Sequence, residues 1–151
     1  MSVLSRSKNA APFTALRLDV AVEPAQERRI REAYAAFVRG DLDSALASFV
    51  PEATFTNPAY AVEGGVRVGY DEIRAGFKSL HDEFEYSSLD VEQLIEGPEG
   101  VLVVVRFQGS GKTSGAPLDV RFFHVFRMRG EEVLDFAWFT SLDEGRRAVG
   151  L

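Results

Sequence analysis

Three consecutive segments, residues 101–108, 118–129 and 132–141, alternate residue by residue and yet carry apolar side chains on both faces. One set of faces holds Val101, Val103, Val105 and Phe107, then Val120, Phe122, His124, Phe126 and Met128, then Leu134, Phe136, Trp138 and Thr140. The other set still holds Leu102 and Val104, Phe123 and Val125, and Val133, Ala137 and Phe139. A sheet that is apolar on both sides must be covered on both sides. Gly97-Pro98-Glu99-Gly100 and Arg129-Gly130-Glu131 read as tight connections, so these segments and a fourth at 86–96 form an antiparallel meander.

The first half has a helical period. Ile30, Ala33, Tyr34, Phe37 and Val38 mark a helix over 25–39 that stops at Gly40. Asp41 caps a second helix with Leu42, Ala45, Leu46 and Phe49 on its apolar face, closed by Pro51. A short strand over 53–56 ends at Asn57-Pro58, and a loop bearing Gly64, Gly65 and Gly69 follows. Ile73, Phe77, Leu80 and Phe84 then mark a third helix, with Asp71 and Glu72 at its positive N-terminal end. Helices followed by strands predict an α+β fold, a curved antiparallel sheet wrapped around about three helices with an internal apolar pocket. The helices cover one sheet face, and the expectation for the other, bearing Phe123, Val125, Ala137 and Phe139, is a homodimer.

Residues 25–151 are expected to form this domain. Residues 1–24 carry Arg6, Lys8 and Arg17 against Asp19 and Glu23 and read as an N-terminal tail or arm. Leu16, Leu18, Val20 and Val22 alternate there, which suits either an extended arm along the body or a frayed end. A net charge of −6, with no Lys/Arg run longer than a pair, argues against a nucleic-acid partner. The chain has no cysteine and only His81 and His124, so no disulfide, thiolate chemistry or metal site is expected. No membrane segment and no signal-peptide core are visible, which predicts a cytoplasmic protein. Gly109-Ser110-Gly111-Lys112-Thr113 imitates the end of a phosphate-binding loop, but Arg106 stands where that pattern needs glycine and strands flank it on both sides.

Several strings resemble the nuclear transport factor two-like superfamily, which includes ketosteroid isomerases, SnoaL-like polyketide cyclases and scytalone dehydratases. They are Gly40-Asp41-Leu42-Asp43, the run Phe49-Val50-Pro51-Glu52-Ala53-Thr54-Phe55-Thr56-Asn57-Pro58, Gly69 before helix three, and His124-Val125-Phe126-Arg127 before a hairpin. The resemblance covers roughly residues 26–142 and implies a cone-shaped fold. The fold hosts unrelated chemistries, so it does not by itself imply one. Carried over, the isomerase pattern puts its aspartate base at Asn57, an amide that cannot accept a proton. Its oxyanion-stabilising acid falls on His124. Its tyrosine falls on Ala33, one residue before Tyr34, and a one-residue shift turns a helix by about 100°. Steroid-type isomerisation is therefore not expected. Trp138 and the closing Val149-Gly150-Leu151 are more similar to the cyclases, although Thr140-Ser141 replaces the acid expected there.

His124 is the leading candidate, a titratable group on a face otherwise made of Phe122, Phe126 and Met128. Burial there should hold it neutral, ready to act as general base or oxyanion donor, or else as a core histidine satisfied by a neighbour. Asn57 reads either as an anchor for a ligand oxygen or as a turn residue before proline. The expected lining comprises Phe37, Tyr60, Val103, Val105, Phe107 and Phe122. Phe126, Met128, Phe136, Trp138 and Thr140 complete it. Two functions fit: binding of a small apolar carbonyl compound with cofactor-free isomerase, cyclase or dehydratase chemistry through His124, or a non-catalytic ligand-binding or dimerisation module.

Overall fold

Pro24 opens the first helix, where its missing N–H costs nothing and its fixed φ already suits the helix. The computed structural model describes residues 22–61 and 64–151. The arm reading of residues 1–21 lies outside the described residues. Val22, the last residue of that alternating stretch, is buried against the core.

The order is α1 (Pro24–Val38), α2 (Leu42–Ala45), β1 (Phe49–Asn57), β2 (Gly65–Val68), α3 (Tyr70–Glu83), β3 (Phe84–Gly97), β4 (Gly100–Gly111), β5 (Pro117–Arg129), β6 (Glu132–Phe139) and α4 (Leu142–Ala148). Asp41 caps α2 by accepting from the Ser44 amide, but the helix lasts one turn. Pro51 therefore does not close a helix. It lies inside β1, in a stretch between Phe49, opposite Val133, and Thr54, opposite Asp135, where the register shifts. A bulge tolerates the missing N–H that a regular central strand would not. The glycine-bearing loop contains a strand of its own, β2, paired antiparallel to β1 from Thr54↔Val68 to Asn57↔Gly65.

The six strands run β2-β1-β6-β5-β4-β3. The sheet is antiparallel apart from the β1–β6 pair, which is parallel. The parallel pair arises because α3 carries the chain from the edge at β2 to the edge at β3, and successive antiparallel strands bring it back beside β1.

The sheet separates two cores. On its concave side Ile30 and Tyr34 of α1, Leu46, and Ile73 and Phe77 of α3 pack on Phe55, Val103, Val105, Phe126 and Phe136. On its convex side Leu102, Val125 and Ala137 pack with Val149, which follows α4. Gly145 lets α4 approach closely, since a Cβ there would fall 2.7 Å from Leu102 Cδ1 and 3.2 Å from Phe123 Cβ. Val125 is 0 % and Ala137 2 % exposed within the single chain, and Phe123 and Phe139 are partly buried. The premise of the dimer argument therefore changes: the chain's own C-terminal helix covers this face, and apolar area alone no longer calls for a second subunit. The seven residues of α4, capped by Ser141 Oγ on the Glu144 amide, are too few to show a clear helical period.

Elsewhere on the sheet, ion pairs Arg106–Asp119 and Arg121–Glu92 cross between strands. Asp135 lies opposite in parity to Phe136 and accepts from Thr54 Oγ1, Thr56 Oγ1 and Arg127 Nη1, while Arg127 Nη2 reaches the Ala148 carbonyl. This network ties β1, β5 and β6 to the end of α4.

Candidate functional site

β5 places His124 between Val103 of β4 and Trp138 of β6. Its ring meets Phe136 edge-on at 5.0 Å, stacks with Phe122 at 6.2 Å and stacks with Tyr34 at 5.7 Å. Tyr34 Oη lies 2.5 Å from His124 Nδ1. Ile30 and Tyr34 stand four residues apart and so share the buried stripe of α1. The resemblance puts the family's tyrosine at Ala33, whereas the helical spacing puts Tyr34 on the apolar stripe with Ile30, and it is Tyr34 that reaches His124.

Burial pushes the His124 pKa down to about 3 and pushes Tyr34 well above its ordinary value. Both are neutral at pH 7. His124, Phe122 and Trp138 each keep part of their surface open, whereas Val103 and Val105 beneath them are fully buried. Tyr34 takes one imidazole nitrogen; the other, Nε2, has no hydrogen-bond partner among the described residues.

Asn57 sits across the parallel β1–β6 pair from Trp138. Its Oδ1 accepts from the indole Nε1 at 2.7 Å and its Nδ2 donates to the Gly65 carbonyl at 3.3 Å. The residue thus holds Trp138 in place, and Trp138 in turn meets Phe122 edge-on at 5.9 Å. Asn57→Leu keeps the volume but leaves the indole donor unmatched, which should cost about 1–3 kcal/mol of stability. Trp138 is the only tryptophan, so the same variant should shift the intrinsic emission, a change read directly by fluorescence.

The remaining expected lining residues divide. Phe126 and Phe136 flank the His124–Tyr34 pair, with ring centroids 5.0 Å apart. Phe37 instead packs edge-on against Phe77, His81 and Tyr86, and Phe107 packs against Phe84 and Tyr86. These rings extend the same core away from His124, joined to it where Phe77 meets Phe136 edge-on at 5.6 Å, and burial and Glu83 push Tyr86 among them up to about 12. Met128 lies at the irregularity near the β5–β6 hairpin. Tyr60, 54 % exposed, donates to Glu144 Oε1, accepts from the Thr140 amide and lies 3.2 Å from Thr140 Oγ1. It joins the β1–β2 connection to α4, so neither Tyr60 nor Thr140 joins the rings around His124.

No group of three or more potential metal-ligating side chains occurs among the described residues. A shallow depression of about 590 Å³ lies at Ser87, Gln108, Gly109, Pro117, Leu118 and Asp119. Asp119 there is held by Arg106, and no buried titratable pair accompanies it. No described helix is long and apolar enough to cross a membrane.

Residues 30–136 match the SnoaL-like domain. The chain belongs to the SnoaL-like domain family. The architecture of this SnoaL-like chain recurs in solved structures. An NTF2-like protein from Burkholderia thailandensis is 25 % identical, with a TM-score of 0.64 over 82 % of this chain and 96 % of that one. A putative isomerase from Bacillus subtilis is 18 % identical, with a TM-score of 0.69 over 83 % of this chain and 93 % of that one. TerC, co-crystallised with polyporic acid, is 17 % identical, with a TM-score of 0.66 over 84 % of this chain and 99 % of that one. No curated protein matches the chain.

Proposed function

We propose that the SnoaL-like domain binds a small apolar carbonyl compound on its concave face, the carbonyl oxygen at His124 Nε2, and that His124 shuttles a proton without a cofactor, Nε2 giving its proton to the oxygen and recovering the one released from the adjacent carbon. The observation that carries this reading is a neutral, desolvated His124–Tyr34 pair set among Phe122, Phe136 and Trp138, with one imidazole nitrogen unpartnered. Aromatic rings supply the apolar contact, and one directed polar group fixes orientation, which is the usual composition of a small-molecule site. A polarised carbonyl with a nearby proton-exchanging group is the shared requirement of isomerase, cyclase and dehydratase chemistry. The putative isomerase and the polyporic-acid complex among the structural neighbours agree in kind.

A second reading, binding without turnover, is favoured by Asn57, whose amide is committed to Trp138 and Gly65 and supplies no base. Two variants separate the readings. Quenching of Trp138 emission by 1-tetralone measures binding, and His124→Leu should weaken it at least tenfold, or about 1.4 kcal/mol. His124→Gln keeps a donor and an acceptor but cannot relay a proton, so it should retain binding and lose turnover of an enolisable ketone. Equal binding by wild type and His124→Leu would remove the proposal; retained turnover in His124→Gln would remove its catalytic part.

A further inference from the structure

We propose that Tyr34 is a positioning residue that sets the tautomer of His124: its hydroxyl donates to Nδ1, so Nε2 carries the proton and selects ligand oxygens that accept a hydrogen bond. The 2.5 Å contact permits two arrangements. In the first, Tyr34 O–H donates to the Nδ1 lone pair, and the only unmatched group is Nε2–H. In the second, Nδ1–H donates to Tyr34 Oη, so both the tyrosine O–H and the Nε2 lone pair need partners. No other described hydrogen-bonding group reaches Tyr34 Oη or His124 Nε2, and the nearby rings are Phe122, Phe126 and Phe136. Nε2 is unmatched in both arrangements, but the second also leaves the buried Tyr34 O–H unmet, and an unmet buried group carries the full desolvation penalty.

Ionised versions of the pair do not compete. Burial holds the imidazole far below and the phenol far above the pH range of the cell, so neither imidazolium nor tyrosinate forms readily. The stacked rings, 16° from parallel, also hold the contact in one geometry.

The remaining Nε2–H is a single donor on an apolar aromatic face. Carbonyl and enolate oxygens satisfy it. A hydrocarbon of the same shape leaves it unmatched, and a cation meets no negative partner. His124 thus starts as a hydrogen-bond donor to substrate, not as a base, and Tyr34 acts through it without touching the ligand. The ligand half of this inference rests on the carbonyl-binding reading; the tautomer half does not.

The test uses the uniformly ¹⁵N-labelled full chain and long-range ¹H–¹⁵N correlation spectra at pH 7, with the His124 signals assigned by their loss in His124→Gln. The expected wild-type spectrum shows a protonated Nε2 and a bare Nδ1. In Tyr34→Phe the preference should collapse to a mixture of tautomers. A wild-type His124 protonated at Nδ1 would overturn the assignment even if Tyr34→Phe fails to fold, and an unchanged tautomer in a folded Tyr34→Phe would overturn the role of Tyr34. For the ligand half, 1-tetralone should shift the Nε2–H resonance and bind at least tenfold tighter than tetralin, the ring system without the oxygen. Equal affinity for the two would overturn acceptor selectivity. The expected tautomer with binding of neither compound would uphold Tyr34 and remove the carbonyl reading instead.

Discussion

Replacing Gly97 by alanine should release the C-terminal segment from the convex face and cost about 2–3 kcal/mol in urea unfolding. A Cβ at residue 97 would overlap the Val149 carbonyl oxygen and lie 2.8 Å from Val149 Cβ, and backbone cannot swing aside as the tip of a long side chain can. Val149 is fully buried, and its carbonyl accepts from the Glu99 amide at 3.1 Å, so both burial and a hydrogen bond are at stake. The cause can be isolated. In a chain lacking residues 149–151 the same substitution should cost less than about 0.5 kcal/mol, because the group it displaces is gone. An equal cost in both backgrounds would place the strain within the β3–β4 hairpin.

The second large effect is acid destabilisation through His124. Its folded-state pKa is about 3, below the ordinary 6.5 that it recovers on unfolding. The unfolded chain therefore binds a proton in a range where the native chain does not, and stability falls as pH drops from about 6.5 toward 3. Each unit of difference is worth about 1.4 kcal/mol, so wild type should lose on the order of 3 kcal/mol more than His124→Gln between pH 7 and pH 4. Asp41, Asp43, Asp82, Glu92 and Asp119, all held low by hydrogen bonds from neighbouring groups, also favour the native state less as they protonate. They are present in both proteins, and their contribution cancels in the difference. Parallel stability losses in the two would show that the ring is hydrated.

Much of the sheet was legible in the sequence because long apolar, β-branched and aromatic runs stand between glycine- and proline-bearing turns, as in the continuously apolar residues 101–105 after Gly97-Pro98-Glu99-Gly100. The prediction that both faces are covered followed from that pattern. The identity of one cover did not, because α4 spans seven residues and its fit depends on Gly145 and Gly97, whose meaning appears only when Leu102 and Val149 are opposite them. β2 was hidden for a similar reason, being four residues flanked by glycine. At the site, parity set His124 among Phe122, Phe126 and Trp138. Tyr34 belongs to the apolar stripe that Ile30 and Phe37 mark, but its hydroxyl contact with His124, 90 residues away, is written in no local pattern. Asn57 illustrates the same limit: its bond to Trp138 joins residues 81 positions apart across a parallel pair, and no local pattern announces such a contact.

β4 has a consequence for how such a domain can diversify. From Val101 to Val105 every residue is buried, the odd positions under the His124 face and Leu102 under α4. A single layer of backbone thus serves two interiors at once, and no position along it can change size without being felt on one side or the other. Novelty has to enter through side chains that are only half enclosed, and on the concave surface Phe122, His124 and Trp138 are of that kind. The rigid middle strand acts as a fixed stage, and variation that the fold tolerates falls to its partly open neighbours.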